Sequence, residues 1–343
     1  MNRYLIPASS SIVEALNALN GLSGDAMTLF VTDADGRLTG SVTDGDIRRA
    51  LISGHRLEDS IADIARKDFK RLETGRGEAA VISEARQAGI TLLPMVRDGY
   101  PVKLVDLRRR RGWLPAAGVL MAGGRGERLR PLTLDTPKPL LEVGGAPIIG
   151  HNIELMQSYG VEDIYITVNY LKEKIIEYVG TRYGSQGAGI RCVEEPRRLG
   201  TMGSLSLIED IKEPNVIVMN SDLLTDVNLE ALWLKHIETE ADITVAVVPY
   251  NISIPYAIMR HSGDRVEGIE EKPTFNYYAN GGIYLLRKEV RDALPKGEYL
   301  DAPDLIDRII GEGGRVSQYV MEGRWIDIGS PDDYRHACEL MGR

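Results

Sequence analysis

A glycine-rich and arginine-rich segment at residues 118–140 carries the residue types needed to bind phosphate groups. It begins with GVLM, four residues typical of a buried strand, and continues as AGGRGERLRPLTLDTPKPL. Backbone N–H groups at Gly123 and Gly124 can cradle phosphate oxygens, and Lys138 is restrained between two prolines. Fixed positive charge with paired donors comes from Arg125, Arg128 and Arg130. The segment predicts a nucleoside triphosphate site; the alternative is a strand-to-helix turn with surface arginines.

Two aspartates provide candidate metal ligands. Asp222 directly follows the apolar run NVIVMN, at the carboxyl end of a predicted central strand, and Asp327 lies in WIDIGSP. Carboxylate oxygens suit Mg²⁺, which keeps part of its coordination shell for phosphates and water. Either aspartate alone is more typical of a capping residue than of a metal ligand. Together with the phosphate-binding segment, they predict a Mg²⁺ site.

The whole segment resembles the signature of the sugar-1-phosphate nucleotidyltransferases, which make nucleotide-sugars from a nucleoside triphosphate and a sugar phosphate. The resemblance implies that Arg128 and Lys138 are catalytic. It also implies that Asp222 and Asp327 hold Mg²⁺ against the triphosphate. The nucleotide-binding positions that it implies within the segment are Leu120, Ala122, Gly123, Gly124 and Arg125.

Two further motifs resemble the part of this family that binds the sugar phosphate. In the motif EKP, the resemblance implies that Glu271 contacts sugar hydroxyls and Lys272 contacts the sugar phosphate. Asn280 and Gly282 belong to NGGIY, which is similar to the strand that lines the sugar pocket. Tyr256 is also implied at this pocket, although alanine follows it where the family usually has glycine. Without this context, EKP is a common surface turn.

The segment EEPRRLGT bears on which base is bound. Glu195 stands five residues before Gly200, at a position where thymidylyl- and uridylyltransferases of this family commonly have glutamine. An ionised carboxylate only accepts hydrogen bonds, and guanine offers two adjacent donors, whereas uracil and thymine offer one donor flanked by acceptors. This chemistry predicts GTP. The alternatives are a surface Glu195 beside Arg197 and Arg198, and a transferase that uses UTP or dTTP.

Strands and helices alternate along residues 116–343. DIYITV and NVIVMN are typical of buried strands, while PIIGHNIELMQSYG and VNLEALWLKHIE show helical spacing. Pro147 and Gly160 suit the start and the end of the first helix. The pattern predicts an α/β fold with a doubly wound, mostly parallel sheet and an active site at the carboxyl ends of its strands. The family resemblance implies its Rossmann-like nucleotidyltransferase form.

Residues 1–112 resemble a pair of CBS domains, an α+β module. The first copy is marked by the strand MTLFVTD and by Thr43 and Asp46, which open a helix. In that family a Thr and an Asp at this spacing hold the phosphate and ribose of an adenine nucleotide, as a regulatory ligand. Residues 68–111 resemble a second, eroded copy without this Thr/Asp element. The alternative is a dimerisation or packing module in which both residues only cap the helix.

Composition indicates two domains and excludes some partners. The chain has 343 residues with 43% hydrophobic content, and an arginine run at 108–111 marks the predicted boundary. The net charge is −9; residues 113–343 hold 24 Lys and Arg against 35 Asp and Glu, which disfavours nucleic acid as a partner. Cys192 and Cys338 indicate neither a disulfide framework nor a metal cluster. No apolar run suits a membrane-spanning helix or a signal peptide, so we expect a cytoplasmic protein with no membrane partner.

These observations predict transfer of a nucleotidyl group from GTP to a sugar-1-phosphate, with release of pyrophosphate. The two-domain architecture resembles the guanylyltransferases of bacterial nonulosonic-acid pathways, including those that use glucosamine-1-phosphate, and mannose-1-phosphate guanylyltransferases. The sequence leaves the sugar open. A function of a different class is a nucleotide-sensing regulatory subunit that has lost catalysis. Because paired CBS modules often associate, a homo-oligomer is expected.

Overall fold

The computed structural model describes residues 1–23, 25–73, 78–108, 110–184 and 189–342. The chain divides into two compact units, Met1–Trp113 and Leu114–Arg343. The division falls just after the arginine run at 108–111, of which Arg109 lies outside the described residues. Each unit has its own buried apolar core.

The first segment of the amino-terminal unit forms a small three-stranded sheet with two helices. Its elements are β1 (Leu5–Pro7), α1 (Ile12–Asn20), β2 (Thr28–Thr32), β3 (Leu38–Thr43) and α2 (Asp44–Ile52). β1 and β2 pair in parallel, and β2 and β3 pair in antiparallel orientation. The helix α1 begins at a capping box, because Ser11 and Glu14 each satisfy the other's backbone N–H.

The second segment of this unit repeats the order of the first. Its elements are β4 (Leu72–Glu73), α3 (Glu78–Gln87), β5 (Leu92–Arg97) and β6 (Tyr100–Asp106). Again the first two strands are parallel and the last two antiparallel. Among the described residues between β6 and position 116, only turns and irregular structure follow, so a counterpart of α2 is absent there.

The carboxy-terminal unit is built on a seven-stranded sheet with short additional ladders. Its strands are β7 (Ala116–Ala122), β8 (Glu142–Val143), β9 (Ala146–Pro147), β10 (Ile164–Val168), β11 (Ile190–Glu194), β12 (Asn215–Asn220), β13 (Leu223–Thr225), β14 (Ile243–Ser253), β15 (Ile258–Ser262), β16 (Arg265–Glu270), β17 (Thr274–Arg287), β18 (Val316–Val320) and β19 (Trp325–Asp327). The order in the large sheet is β11-β10-β7-β12-β17-β14-β18. Neighbours are parallel except at β17, which is antiparallel to both β12 and β14. The predicted mostly parallel sheet is therefore confirmed.

Helices cover both faces of this sheet. They are α4 (Ile148–Ser158), α5 (Lys172–Tyr183), α6 (Gly200–Gly203), α7 (Leu229–Glu238), α8 (Lys288–Asp292), α9 (Ala302–Gly311) and α10 (Pro331–Met341). Successive strand residues point to opposite faces, so Leu120 packs in the apolar cluster that includes α4, α5 and α7, whereas Val119 packs in the cluster that includes α9. The predicted helices form as α4 and α7, with Pro147 at the start of α4.

Two long strands leave the large sheet together. Beyond Val247, β14 no longer pairs with β18, yet it continues to pair with β17 as far as Ser253. The chain between them forms the β15–β16 hairpin. We call residues 248–279 the arm. In the part of the chain that the structure describes, no helix has the length and apolar character needed to span a membrane.

Candidate active site

The glycine-rich turn lies at the carboxyl end of β7, the strand between β10 and β12. Gly126 has a φ of +60°, and a Cβ there would lie 3.0 Å from Thr133 Cγ2 and 3.2 Å from Lys138 Cβ. The Thr133 hydroxyl donates to the Gly126 carbonyl at 2.7 Å. At Gly124, by contrast, a Cβ would meet nothing within 4 Å. The turn is thus folded against Lys138 while the Gly124 backbone faces open space.

The turn borders a cavity of about 810 Å³. Its lining is Gly123, Gly124, Arg125, Gly126, Glu127, Arg128, Lys138, Asn169, Pro196, Arg197, Arg198, Asp222 and Gly329. Five of these side chains are cationic and two are carboxylates. Exposed glycine backbone and an excess of positive charge are suited to a polyphosphate.

Lys138 meets both predicted metal ligands. Its Nζ lies 2.5 Å from Asp222 Oδ2 and 3.9 Å from Asp327 Oδ1. The lysine side chain is 11% exposed, whereas those of Asp222 and Asp327 are 26% and 46% exposed. The lysine is therefore the most buried of the three side chains, and Asp222 and Lys138 both line the cavity.

A short ladder explains how two aspartates so distant in sequence come together. Asp222 immediately precedes β13, and β13 pairs with β19 so that Leu223 is opposite Asp327. The Asp222 carbonyl also accepts a hydrogen bond from Ile328 N at 3.1 Å. Ser221 is fixed in turn, because its hydroxyl donates to the Met121 carbonyl of β7 at 2.6 Å. The carboxylates are thus positioned by backbone pairing rather than by flexible loops.

The electrostatics of this pair fit a divalent cation. Burial, and then the charge of Asp222, raise the pKa of Asp327, against the opposing influence of Lys138 and Arg128. Asp222 Oδ1 is buried and has no hydrogen-bond partner among the described residues. Two carboxylates with an unused oxygen suit Mg²⁺, which takes its remaining ligands from phosphate and water. The described residues contain no cluster of three or more His, Cys, Asp or Glu that would bind a metal without a substrate.

Arg128 lies beside the same carboxylates. A Cβ at Gly329 would lie 3.3 Å from the nearest guanidinium nitrogen of Arg128. Because Gly329 is two residues after Asp327, the guanidinium lies next to the β19 end of the site. Its charge opposes the rise in the pKa of Asp327, which is consistent with this closeness.

Glu195 is buried, not a surface charge. It is 6% exposed, and its Oε2 accepts a hydrogen bond from Leu199 N at 3.3 Å. A Cβ at Gly123 would lie 2.8 Å from Glu195 Oε1, so glycine at that position leaves room for the carboxylate. Burial raises the pKa of Glu195. Arg197 and Arg198 are exposed and also line the larger cavity.

Glu195 lines a second cavity of about 180 Å³ beside the first. Its lining is Met121, Gly123, Gly124, Glu195, Arg198, Gly200, Thr201, Asn220, Asp222 and Asp301. Gly123, Gly124, Arg198 and Asp222 border both cavities. One elongated ligand can therefore extend from the cationic cavity to the carboxylate of Glu195.

Backbone contacts fix the wall of this smaller cavity. Gly200 has a φ of +76°, and a Cβ there would lie only 2.6 Å from the Leu300 carbonyl oxygen. Met202 N and Gly203 N both donate to that carbonyl, at 2.9 and 3.0 Å. Asp301 Oδ1 accepts from Thr201 N at 3.0 Å. The segment 199–203 is thereby clamped to residues 300–301.

The residues predicted to bind the sugar phosphate lie in two separate regions, the end of the large sheet from which the arm extends and the arm itself. Asn280 and Gly282 lie where the arm leaves the sheet: Asn280 Oδ1 accepts from Gly282 N at 3.0 Å, and a Cβ at Gly282 would lie 2.6 Å from Asn220 Nδ2. Tyr256, Glu271 and Lys272 are exposed on the arm and line neither cavity. Their predicted role in sugar binding stays a prediction.

The two predicted nucleotide-binding residues within β7 lie in the protein core rather than at the cavity surface. Leu120 and Ala122 are 0% and 1% exposed, and both pack in the apolar core of the sheet. Neither lines one of the two cavities. Their side chains position the glycine turn, and a ligand contact would have to come from the backbone.

In the amino-terminal unit, Thr43 and Asp46 are joined by hydrogen bonds. They form a capping box at the start of α2, with Thr43 Oγ1 at 2.7 Å from Asp46 Oδ2. Asp46 Oδ1 also accepts from Arg49 at 2.6 Å and from Arg66 at 2.7 Å. Although burial acts to raise it, these hydrogen bonds lower the pKa of Asp46. The structure thus shows the helix-cap arrangement, and nucleotide binding here stays a prediction.

Several residues that line the two cavities are not among those predicted from the sequence motifs. Asn169 and Asn220 stand at the carboxyl ends of β10 and β12, so the rule for parallel sheets would have found them. Asp301 is in the N-cap position of α9 but makes no side-chain cap bond there. From sequence it is an ordinary capping residue, and only its contact with Thr201 reveals its place in the site.

The sequence matches two family models. Residues 117–342 match the nucleotidyl transferase model, and residues 1–53 match the CBS domain model. The first match covers most of the chain, so the chain belongs to the nucleotidyl transferase family, as its motifs predicted. The CBS match covers the first copy of the predicted pair.

Curated relatives include mannose-1-phosphate guanylyltransferases. A probable mannose-1-phosphate guanylyltransferase 1 of Oryza sativa subsp. japonica is 32% identical over 224 residues, which cover 63% of this chain and 62% of that protein. The mannose-1-phosphate guanyltransferase of Saccharomyces cerevisiae is 32% identical over 229 residues, 63% of this chain and 62% of that protein. The chain thus spans about 62% of the length of these relatives.

Solved structures share the fold of the second unit. HddC from Yersinia pseudotuberculosis is 25% identical, with a TM-score of 0.52 over 66% of this chain and 99% of that chain. A structure of HddC complexed with GMP-PN matches with the same values. A putative glucose-1-phosphate thymidylyltransferase from Bacillus anthracis, at 23% identity and a TM-score of 0.53 over 66% of this chain and 95% of that chain, shares the fold.

Proposed function

We propose that this protein transfers a guanylyl group from GTP to a sugar-1-phosphate and releases pyrophosphate. The observation that carries the proposal is the meeting of Lys138 with Asp222 and Asp327 beside a glycine turn in a cationic cavity. The family, and relatives named as mannose-1-phosphate guanylyltransferases, support the same reaction class. The acceptor is a hexosamine-1-phosphate such as glucosamine-1-phosphate, or mannose-1-phosphate.

The triphosphate occupies the larger cavity. The backbone at Gly123 and Gly124 and the guanidinium of Arg128 bind its oxygens, and Arg125 adds charge at the entrance. These groups neutralise charge that builds up as pyrophosphate departs. Because the turn is already held by Thr133 and Lys138, little reorganisation is needed when the nucleotide binds.

A Mg²⁺ ion is held by Asp222 and Asp327. When bound, it supplies charge neutralisation and orientation of the phosphate oxygens. The unpartnered oxygen of Asp222 and the raised pKa of Asp327 support this assignment, because both features are relieved by a cation.

The reaction is an in-line displacement. A phosphate oxygen of the sugar-1-phosphate attacks the α-phosphorus of GTP, a new P–O bond forms, and the bond from the α-phosphorus to the bridging oxygen breaks as pyrophosphate leaves. Lys138 binds the reacting phosphates, and Lys272 binds the incoming sugar phosphate. Catalysis then depends on positioning and charge neutralisation, without a covalent enzyme intermediate.

The base occupies the smaller cavity, against Glu195 and Gly200. An ionised Glu195 accepts hydrogen bonds from the two adjacent donors of guanine. A protonated Glu195 would offer one donor and one acceptor, as glutamine does, and would suit uracil or thymine. Since burial raises the pKa of this carboxyl, its protonation state decides between GTP and the alternative substrates UTP and dTTP.

The rival proposal is a regulatory subunit without catalysis. Retention of Arg128, Lys138, Asp222 and Asp327 in one site supports the enzyme instead. In either case the amino-terminal unit is a regulatory or dimerisation module, with an adenine nucleotide as the candidate ligand of Thr43 and Asp46. To bind a ribose, Asp46 would have to exchange its contacts with Arg49 and Arg66.

The test is pyrophosphate release by the purified chain with Mg²⁺. Five nucleotides, ATP, CTP, GTP, UTP and dTTP, are each paired with a panel of hexose- and hexosamine-1-phosphates, and Lys138→Ala serves as the inactive control. Release with GTP and one sugar phosphate supports the proposal. Release with UTP or dTTP alone would replace the base assignment, and no release with any pair would favour the regulatory subunit.

A further inference from the structure

The arm exposes an apolar surface that the proposed reaction does not use. Where β14 and β17 leave the large sheet, Tyr250 lies opposite Tyr277, and Ile252 lies opposite Phe275. Directly opposed residues share a face of an antiparallel ladder, and so do residues two apart on one strand. All four side chains therefore lie on one face of the ribbon. Their exposed fractions run from 38% for Phe275 to 58% for Tyr250.

The opposite face of the ribbon is mostly polar. Asn251 pairs with Asn276, and Ser253 pairs with Thr274, whose hydroxyls are 3.0 Å apart. Tyr278 adds one exposed ring on this side. The ribbon is thus amphipathic. Alternation of apolar and polar side chains along each strand is typical of an antiparallel sheet that buries one face.

The arm continues beyond the ribbon with the same character. Ile254 N donates to the Pro273 carbonyl at 3.0 Å, and the β15–β16 hairpin follows. Met259 lies directly opposite Ile269 on this hairpin, with 54% and 61% exposure. Val266, on the same face, is 59% exposed.

A two-stranded ribbon with large exposed apolar side chains is marginal by itself in water. We propose that the apolar face of the arm, with Tyr250, Ile252, Phe275 and Tyr277 at its centre, is where two copies of this chain pair. The pairing is isologous, so the same face is supplied by both copies around a two-fold axis.

The exposed area is sufficient for such a dimer. The seven apolar side chains of the ribbon and hairpin expose on the order of 600 Å² per copy, given the usual size of such residues. Burial in both copies then approaches about 1,200 Å², the lower end of specific protein interfaces.

Charge on the arm favours a second copy over a strongly charged partner. The hairpin carries both signs, namely Arg260, Asp264, Arg265, Glu267 and Glu270. Glu271 and Lys272, which the proposed function assigns to the sugar phosphate, lie just beyond it. Two such surfaces related by a two-fold axis meet without a large excess of one sign. The arm belongs to the carboxy-terminal unit, so the proposed surface differs from any dimerisation surface of the CBS module.

The test is the mass of the full chain in solution, by sedimentation equilibrium across a range of protein concentrations. Tyr277→Lys places a charge on the apolar face at a position that is 54% exposed, so folding is preserved. Asn276→Lys, the next residue on the same strand, places the same charge on the opposite face. Ile269→Lys tests the hairpin independently. Circular dichroism spectra of all variants serve to check folding.

The expected result is an assembly for the wild type and for Asn276→Lys, and an assembly of half that mass for Tyr277→Lys. Because each substitution occurs twice in a two-fold dimer, the dissociation constant should rise by about a hundredfold or more. A wild-type chain that stays monomeric at every concentration overturns the proposal. So does a Tyr277→Lys variant that assembles like the wild type. Neither outcome depends on nucleotidyl transfer, since no substrate is present.

Discussion

The ammonium of Lys138 lies 2.5 Å from the carboxylate of Asp222, although 84 positions separate the two residues. The lysine comes from the short 3₁₀ turn Lys138–Leu140, and the aspartate lies between the end of β12 and the start of β13. A pair of this kind neutralises charge in the free protein. In the proposed function, the same carboxylate would hold the Mg²⁺ ion and the ammonium would bind phosphate, and in the free protein their contact keeps both groups in position.

Removal of the Lys138 ammonium should abolish most of the activity. We expect Lys138→Ala to lower kcat by about a thousandfold, because a preorganised positive charge at the reacting phosphates is lost. Lys235→Ala, at a half-buried lysine on α7 that lines neither cavity, is the control. The measurement is pyrophosphate release at saturating substrates. A variant with near-normal kcat and an intact circular dichroism spectrum would disprove the role of Lys138.

Asp222 and Asp327 should control the Mg²⁺ requirement. We expect Asp222→Asn and Asp327→Asn each to raise the Mg²⁺ concentration for half-maximal nucleotide binding by roughly tenfold or more, because a neutral amide is a weaker ligand than a carboxylate. Calorimetric titration of GTP at several Mg²⁺ concentrations measures this without turnover. Asp332→Asn, an exposed position on α10, is the control. An unchanged Mg²⁺ dependence in both site variants would refute the metal assignment.

Glu195 should make base preference depend on pH. Its pKa is raised by burial, so the carboxyl is neutral below that pKa and ionised above it. The KM for GTP should therefore fall as pH rises through the pKa of Glu195. The variant Glu195→Gln should lose this dependence and shift the preference toward UTP or dTTP, by roughly tenfold in relative kcat/KM. If the ratio of kcat/KM for GTP to kcat/KM for UTP or dTTP is the same at every pH and in Glu195→Gln, Glu195 does not contact the base.

Asp301 should act as a positioning residue for the base cavity. Its bond to Thr201 N fixes the Gly200 segment, and loss of one such hydrogen bond corresponds to about a tenfold change. We expect Asp301→Ala to raise the KM for GTP by that factor while kcat changes little. Asp304→Ala, exposed on the first turn of α9, is the matched control. An equal effect of both variants, or a loss confined to kcat, would contradict this role.

Asp46 should stabilise the amino-terminal unit in a pH-dependent way. Hydrogen bonds lower its pKa in the folded chain, so its contribution is present above the unfolded pKa and is lost as pH falls through the folded pKa. At neutral pH, Asp46→Ala should cost about 1 kcal/mol of stability, because the capping box that Asp46 forms with the N-cap residue Thr43 is lost. Urea unfolding at neutral and acidic pH measures it. An equal cost at both values of pH would contradict the sign of this effect.

Much of the candidate site could be predicted from motifs because the residues involved are close together in the sequence. The glycine turn, Arg128 and Lys138 occupy one segment, and their types and spacing are sufficient to predict phosphate binding. Asp222 was predictable because a strand ending in a carboxylate places it at the active edge of a parallel sheet. The family and the mostly parallel sheet followed from the same motifs and from alternating strand and helix patterns.

The remaining features depend on contacts between distant segments. The sequence left open whether Glu195 is exposed, and the structure buries it against Gly123. Asp301 has the sequence position of a helix cap, yet its side chain bonds to Thr201. Thr43 and Asp46 matched a nucleotide-binding pattern, and the structure shows the capping box that the same residues equally permit.

The sequence by itself determined the family and the succession of elements and predicted a phosphate-binding segment, because glycine turns, charged motifs and apolar periodicity are properties of short segments. Only the tertiary structure decided which carboxylates meet Lys138, which glutamate is buried, and which face of the arm stays apolar and exposed. The physical reason is that these properties depend on strand pairing across large sequence distances. A register such as Leu223 opposite Asp327 is fixed by the packing of the whole unit.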